Sequence, residues 1–290
     1  MLFLSLGLTL AFVVVETIAG LRASSLALLS DAGHNFTDAF ALLLAAIGFY
    51  FQSRPADHNK TYGYHRAGVL VAFVNAIALI ALSSVLFYES YRRLMNPQPV
   101  SEKTMIVVAA IGLLMNLAIA WGLGGHGHDL NIRAAWIHML GDAASSAGII
   151  AGAILIRFTG WLAIDPALSI LIGVGILWSA WGIVKDALNI LLEGLPKGLT
   201  LSDVRKEVGQ IDGVVDVHDL HIWSLGSDAH ALSCHVLIED MPPSSSDTIL
   251  RKINGLLCDR FAIHHTTIQF EHTRCVLAEQ SCNMTNVHRH

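Results

Sequence analysis

Six runs of apolar residues, at about 2–21, 26–50, 67–91, 104–123, 132–157 and 163–191, fill the first two thirds of this 290-residue chain. Each is close to the ~20 residues an α-helix needs to cross the hydrocarbon core of a bilayer. Backbone N–H and C=O groups have no water to bond in lipid, so such runs are confined to helices. Composition agrees, with 53% hydrophobic and 14% charged residues against about 25% charged in soluble domains. The sequence therefore predicts an α-helical membrane protein with six transmembrane helices.

The first run has no basic residue ahead of it and carries Glu16 within it, so it reads as helix one and not as a removable signal peptide. The chain opens directly on this run, which implies a short N-terminal tail at most. Glu16 either lines a cavity or makes a polar contact between helices. Charge is unevenly shared: residues 1–195 hold 21 of the 41 Asp, Glu, Lys and Arg, and the remaining 95 residues hold 20. Two domains follow, 1–195 in the membrane and 196–290 outside it.

Two of the apolar runs repeat one pattern, H-x-x-x-D, as His34 with Asp38 and His138 with Asp142. A spacing of four places both side chains of a pair on one helix face, a turn apart. Two such helices side by side supply two imidazole nitrogens and two carboxylate oxygens, the number and type of ligands of a tetrahedral zinc site. One such pair is as well explained by polar residues satisfied by neighbouring helices. Its repetition 104 residues later, again inside an apolar run, favours a metal site at membrane depth. The function read from this is metal transport. Zinc requires deprotonated ligands, so metal and protons compete for the same four groups, and free imidazole titrates near pH ~6.5.

Beyond the sixth run the order is α-β-β-α-β. Ser202 is expected to cap a helix to about Ile211, with strands over Val214–Trp223 and Ala229–Glu239 around a Gly226-Ser227-Asp228 turn. A helix over Ser246–Arg260 and a strand over Thr266–Glu271 follow, giving a small α+β sandwich. Nine of the fifteen histidines lie in this tail. If the hairpin brings His218 near His235 with Glu271 on the next strand, nitrogen and oxygen ligands converge as zinc prefers. His221, three residues after His218, is a further candidate; each of these histidines is alternatively a surface residue. Cys275 and Cys282, with His288 and His290 beyond, could hold zinc, although their spacing misses the tight C-x₂₋₄-C of structural sites. All four cysteines fall in the tail without a disulfide framework, which suits a reducing compartment. Lys and Arg are too evenly spread over the loops to orient the helices. The tail's 12 acidic against 8 basic residues argue against nucleic acid as a partner.

Four segments, L-A-L-L-S-D-A-G-H-N-F-T-D, N-I-R-A-A-W-I-H-M-L-G-D, L-L-E-G-L-P and V-H-D-L-H-I-W, resemble the cation diffusion facilitator family, specifically its bacterial zinc exporters. The resemblance implies a homodimer in the inner (plasma) membrane, both termini cytoplasmic, a ferredoxin-like cytoplasmic domain, and exchange of cytoplasmic Zn²⁺ for protons. It assigns His34, Asp38, His138 and Asp142 as the transport site. His34, where broader-range relatives carry Asp, is similar to the zinc-preferring subgroup, with Cd²⁺ as a minor substrate. Some relatives bind a second ion between helices two and three. Here Asp57 is present but Lys60 and Tyr64 replace histidines, leaving His65 and His58 as partial substitutes or surface residues. The same analogy pairs Arg66 with Glu193 and reads His126-Gly127-His128-Asp129 as a short histidine loop or a plain polar turn.

Two other classes compete. An intramembrane metalloenzyme would need an open coordination position with a nearby base, as in H-E-x-x-H, and no such motif occurs. A membrane-anchored zinc sensor would not need ligands at mid-membrane.

Overall fold

The computed structural model describes residues 2–52, 54–123, 130–226 and 229–273. Six long helices come first: α1 (Leu2–Ala23), α2 (Leu26–Gln52), α3 (Arg66–Met95), α4 (Glu102–Leu123), α5 (Leu130–Thr159) and α6 (Ile164–Leu191). Then follow α7 (Leu201–Gly209), β1 (Val214–Ser224), β2 (His230–Ile238), α8 (Pro243–Phe261) and β3 (Ile263–Glu271). The chain divides into two compact units, residues 1–46 with 72–184 and residues 47–71 with 185–290.

Among the described residues, four helices are long and apolar enough to cross a membrane: Arg66–Met95, Glu102–Leu123, Ala135–Thr159 and Ile164–Leu191. At most 39% of each apolar window is buried inside the protein. The outward faces, with Trp121, Phe158, Leu171 and Trp178 exposed, are as apolar as the inward ones, the signature of a helix solvated by lipid.

Inside the first unit alanines alternate with larger apolar side chains at the packing contacts. Ala23, Ala27 and Leu28 meet Met105, Val108 and Ala109 of α4 and Ile149, Ala153 and Ile156 of α5. A second cluster joins Ala76 and Leu79 of α3 to Ile176, Ala180 and Val184 of α6. Small side chains let helix backbones approach closely, which is how helices gain contact when lipid is as apolar as they are. Gly152 is the tightest case: a Cβ there would lie 2.2 Å from Leu168 Cδ1.

The corner between α1 and α2 is fastened by polar groups. Ser24 adopts φ +52°, and its carbonyl accepts from Arg93 of α3. Asp165, in the first turn of α6, accepts from Ser25 Oγ at 2.5 Å, Leu26 N at 2.7 Å and Ala27 N at 3.2 Å. These amides open α2 and have no partner within their own helix. A carboxylate from another helix thus caps α2 and meets its positive dipole end. One turn further along, Ser30 and Ser169 share a hydrogen bond of 2.6 Å. The helix that carries His34 and Asp38 is held in place against α6 by this pair of contacts.

In the second unit the tail forms two layers. Strand order is β1-β2-β3, with β1 and β2 antiparallel and β2 and β3 parallel. Val204 and Val208 of α7 and Ile249, Ile253 and Leu257 of α8 pack on Val217, Ile222, Leu232, Val236 and Ile263 of the sheet. Burying each such side chain contributes roughly 1.5–3 kcal/mol. Some boundaries depart from the sequence reading. The cap of α7 is Thr200, not Ser202: its hydroxyl accepts from Asp203 N at 3.1 Å, the N3 amide that a capping side chain reaches. Helix α8 starts at Pro243, three residues early, because proline at the first helical position gives up only an N–H that would be unpaired anyway. Strand β3 starts at Ile263, following the left-handed Ala262 (φ 53°) that ends α8.

Removing the Asp165 carboxylate leaves the α2 amides orphaned in a buried site, a loss of about 1–3 kcal/mol. Asp165→Ala is expected to lower the unfolding midpoint in detergent by several degrees, read by tryptophan fluorescence. An unchanged midpoint would show that the cap does not hold the corner.

Candidate metal centres

α2 and α5 bring the four residues of the repeated motif together. His34 Nε2 lies 3.3 Å from Asp142 Oδ1 and 3.6 Å from Asp38 Oδ2. His138 Nε2 lies 3.1 Å from Asp38 Oδ2 and 3.7 Å from Asp142 Oδ2. Each imidazole therefore sits between the two carboxylates, one from its own helix and one from the other. Zinc bonds of ~2.0–2.1 Å in a tetrahedron imply ligand separations of about 3.3 Å; with one ligand atom from each residue, His34, Asp38 and Asp142 lie within 4.8 Å of one another, and His138 adjoins them through Asp38 Oδ2 at 3.1 Å. The two rings meet edge to face, with centroids 5.9 Å apart. His34 Nδ1 is buried with no hydrogen-bond partner, so Nε2 is the nitrogen placed to take a ligand. A cavity of about 540 Å³ opens on the quartet and is also lined by Asn75, Leu79, Ser179 and Ile183.

Glu16 resolves to a contact between helices. It is fully buried, and its Oε2 accepts from Asn35 Nδ2 of α2 at 3.1 Å. Asp31, one turn before His34, accepts from Ser145 Oγ of α5 at 2.6 Å.

In the tail, the register pairs His218 with His235 across β1 and β2, and Leu237 with Glu271 across β2 and β3. Side chains two residues apart on a strand share a face, so His235 and Glu271 are diagonal neighbours. His218 Nε2 is 3.1 Å from Glu271 Oε2, and His235 Nδ1 is 2.8 Å from Glu271 Oε1. One carboxylate thus bridges two rings whose centroids are 5.5 Å apart. The three ligand atoms lie within 4.8 Å of one another.

His221 is not part of that trio. A register shift between His218 and His221 marks a bulge, where Asp219 has φ +50°. The bulge turns Asp219 so that Oδ1 is 3.1 Å from His221 Nε2 and Oδ2 is 3.8 Å from His235 Nε2. Asp219 therefore edges the trio, a role that regular alternation along V-H-D-L-H hides. Burial pushes the Cys234 thiol up to about 12, so it is a core side chain and not a metal-ready thiolate. Cys275, Cys282 and the His126–Asp129 loop lie outside the described residues.

Family comparison adds to this geometry. A family model described as "Cation efflux transmembrane domain" matches residues 2–192, and one described as "Cation efflux protein, cytoplasmic domain" matches residues 196–273. The chain belongs to the cation efflux, or cation diffusion facilitator, family of membrane transporters. It is 39% identical over its whole length to the "Cadmium, cobalt and zinc/H(+)-K(+) antiporter" of Bacillus subtilis, covering 96% of that protein. It is 40% identical to the "Zinc transporter ZitB" of Escherichia coli, over 94% of this chain and 88% of that one. The "Metal cation efflux system protein CzcD" of Cupriavidus metallidurans is also 40% identical, with 95% and 87% covered. A solved metal-bound C-terminal domain of the Cupriavidus CzcD transporter is 37% identical over 25% of this chain and 99% of its own, at a TM-score of 0.23.

The segment between α2 and α3 uses its polar residues differently. Asp57 Oδ1 accepts from the amides of Asn59 and Lys60 at 2.7 and 2.8 Å, and Oδ2 accepts from the Tyr64 hydroxyl at 2.8 Å. The Tyr64 bond and the two amides hold the Asp57 carboxyl below the usual carboxylate range. His65 packs beside Gly226, and Tyr62 stacks edge-on with His265 at 5.1 Å. Among the described residues, Asp57 and His65 are not gathered into a three-ligand cluster. Arg66 Nη2 donates to Glu193 Oε1 at 3.1 Å. Glu193 is exposed and Arg66 partly so, and solvent screening limits this pair to about 0–1 kcal/mol.

A depressed carboxyl stabilises its surroundings fully above its ordinary titration range and loses that effect as pH falls through the lowered value. Asp57→Ala is expected to raise the hydrogen-exchange rates of the Asn59 and Lys60 amides at neutral pH, and acidification below the carboxylate range to free the Tyr64 hydroxyl in the native chain. Unaltered exchange in the variant would refute the carboxylate as organiser of this segment.

Proposed function

We propose that the chain is a zinc exporter that exchanges cytoplasmic Zn²⁺ for protons by alternating access, with His34, Asp38, His138 and Asp142 as its transport site. The carrying observation is the ring of Nε2 to carboxylate distances, 3.1–3.7 Å, inside an apolar bundle. Two carboxylates and two imidazoles neutralise a dication and match zinc's borderline character. Cd²⁺, with the same filled d shell, is a secondary substrate. The names of the relatives, which mention zinc, cadmium, cobalt and protons, support the same substrate class.

The accompanying architecture is six spans within residues 1–195, a ferredoxin-like metal-binding domain over 196–290, both termini cytoplasmic, and a homodimer in the inner (plasma) membrane. Proton exchange follows from ligand chemistry. His34 and His138 bind zinc when neutral, and their protonation on the more acidic side lowers metal affinity. In the tail, His218, His235 and Glu271 would hold a regulatory Zn²⁺, with Asp219 beside His235. With an acidic excess on each tail, the neutralising dication would draw the two tails of a dimer together. A zinc sensor without transport is the second reading, and mid-membrane ligands disfavour it.

In proteoliposomes, purified protein should move Zn²⁺ across the bilayer, and Asp142→Ala should abolish that flux while the dimer persists by size exclusion. Wild-type flux in the variant would remove the quartet from the mechanism. His34→Asp replaces nitrogen with oxygen and should raise the Cd²⁺ to Zn²⁺ flux ratio several-fold; an identical ratio would place selectivity elsewhere. For the tail, spin labels on two protomers should approach on adding zinc in the wild type and not in His235→Ala. Equal behaviour of the two would leave the tail without a sensing role.

A further inference from the structure

We propose that Glu16 and Asp31 form a proton-carrying site of this transporter, separate from the metal quartet, in which two buried carboxyl groups share one proton. The inference rests on the proton-exchange reading and deepens it. Glu16, on α1, is 0% exposed, and Asp31, on α2, is 2% exposed. Asn35 Nδ2 donates to Glu16 Oε2 at 3.1 Å, but no donor reaches the buried Oε1. Asp31 lies four residues before Asn35, one turn away on the same face of α2, so the residue that holds Glu16 and the Asp31 carboxyl present to α1 side by side, and Asp31 is the acid beside the unpartnered oxygen. Two carboxylates are both acceptors, and a hydrogen bond between them requires a proton on one. Like charges this close and away from water cannot both be ionised.

The surroundings suit a pair with one net negative charge. Asp31 Oδ1 takes the Ser145 hydroxyl at 2.6 Å, and Oδ2 is 3.5 Å from the Ser146 hydroxyl. These hydroxyls and the Asn35 amide present the positive ends of their dipoles to the pair, which favours residual negative charge and opposes a metal cation. Among the described residues, no lysine or arginine acts on the two carboxyls. The titratable groups that do act on Asp31 are Glu16 of α1, His34 of its own helix and Asp142 of α5, and Asp31 alone acts on Glu16.

Position makes the pair useful. Asp31 lies three residues before His34 on α2, and Ser145 three residues after Asp142 on α5, so the Asp31 end of the network sits about one helical turn from the quartet on the same two helices, with Glu16 joining from α1. A dication at the quartet lowers the cost of ionising both carboxyls, and the shared proton leaves toward the side from which zinc came. When zinc departs on the other side, one proton from that side returns to the pair. The balance is one H⁺ released per Zn²⁺ bound and one regained per Zn²⁺ released, beyond any protons the histidines carry.

The test counts protons. Full-length protein in vesicles holding a zinc dye and a pH dye gives the H⁺ moved per Zn²⁺. Glu16→Gln keeps the shape and the Asn35 bond, and Asp31→Asn neutralises the other partner. Each is expected to lower the ratio by one relative to wild type, the double variant to lower it no further, and Glu16→Asp to restore it. A merely structural role would change the rate of flux and not this ratio. Both single variants giving the wild-type ratio overturns the proposal. Wild-type protein that moves zinc without protons would instead overturn the exchange reading on which it stands.

Discussion

An ionisable group placed among apolar helices must be met by something of opposite polarity, because an uncompensated charge in that setting costs several kcal/mol. The buried acids of this chain meet that demand in three different ways. Asp165 is sealed by one hydroxyl and two helix-opening amides at 2.5–3.2 Å, so it is satisfied by the protein alone and acts as a fastening. Glu16 and Asp31 are satisfied in part by an amide and two hydroxyls and in part by each other. The quartet is satisfied least: its contacts are longer, at 3.1–3.7 Å, and it opens on a cavity. The same residue type is structural or exchangeable according to how many fixed donors surround it.

The tail reaches a comparable donor set by sheet geometry instead of helix spacing. Antiparallel pairing sets His218 opposite His235, and parallel pairing of β2 with β3 sets Glu271 diagonally across. Since strand side chains alternate with period two, a slip of one residue in either register would send a ligand to the other face. The register is held by the apolar side of the same strands, where Val217, Leu232 and Val236 pack under α7 and α8. The core thus fixes the ligand geometry, and the bulge at Asp219 adds an acidic neighbour that a regular strand would have turned away.

What could be read in the sequence follows the same division. The quartet was legible because helix spacing alone puts residues four apart on one face, and the motif occurs twice. The His218, His235 and Glu271 trio needed only an assumed hairpin register. Asp165 was not legible: an acid followed by Pro166 reads as the start of its own helix, and nothing local says that it caps a helix 140 residues away. Asp31 was equally silent, since its partners Glu16, Ser145 and Ser146 lie on other helices. Asp219 required a left-handed backbone that no glycine announced. Asp57, a candidate ligand only through the family resemblance, engages both carboxylate oxygens within its own turn, a use that competes for the same oxygens. Spacings within one element and pairings between neighbouring strands were readable; satisfaction of polar groups between helices was not.

On the export reading, charge balance explains why exchange, and not leakage, is the outcome. Two carboxylates with two neutral imidazoles carry two negative charges, which a Zn²⁺ cancels and which protons on the same four groups also cancel. The empty, deprotonated arrangement cancels nothing, and it is the costly one to carry through a rearrangement inside a low-dielectric bundle. Loaded with metal or loaded with protons, the site is equally acceptable to its apolar surroundings, so the helices can reorient in either state. Fixing α2 to α6 through Asp165 and the Ser30–Ser169 bond preserves the quartet's half on α2 as a rigid unit while this happens. The remaining half, on α5, shares a buried apolar cluster with the start of α2, and beyond it the two helices meet through the Ser145–Asp31 bond and the quartet. The seam that must respond to the cargo is therefore the one built from residues that bind it or its counter-ion.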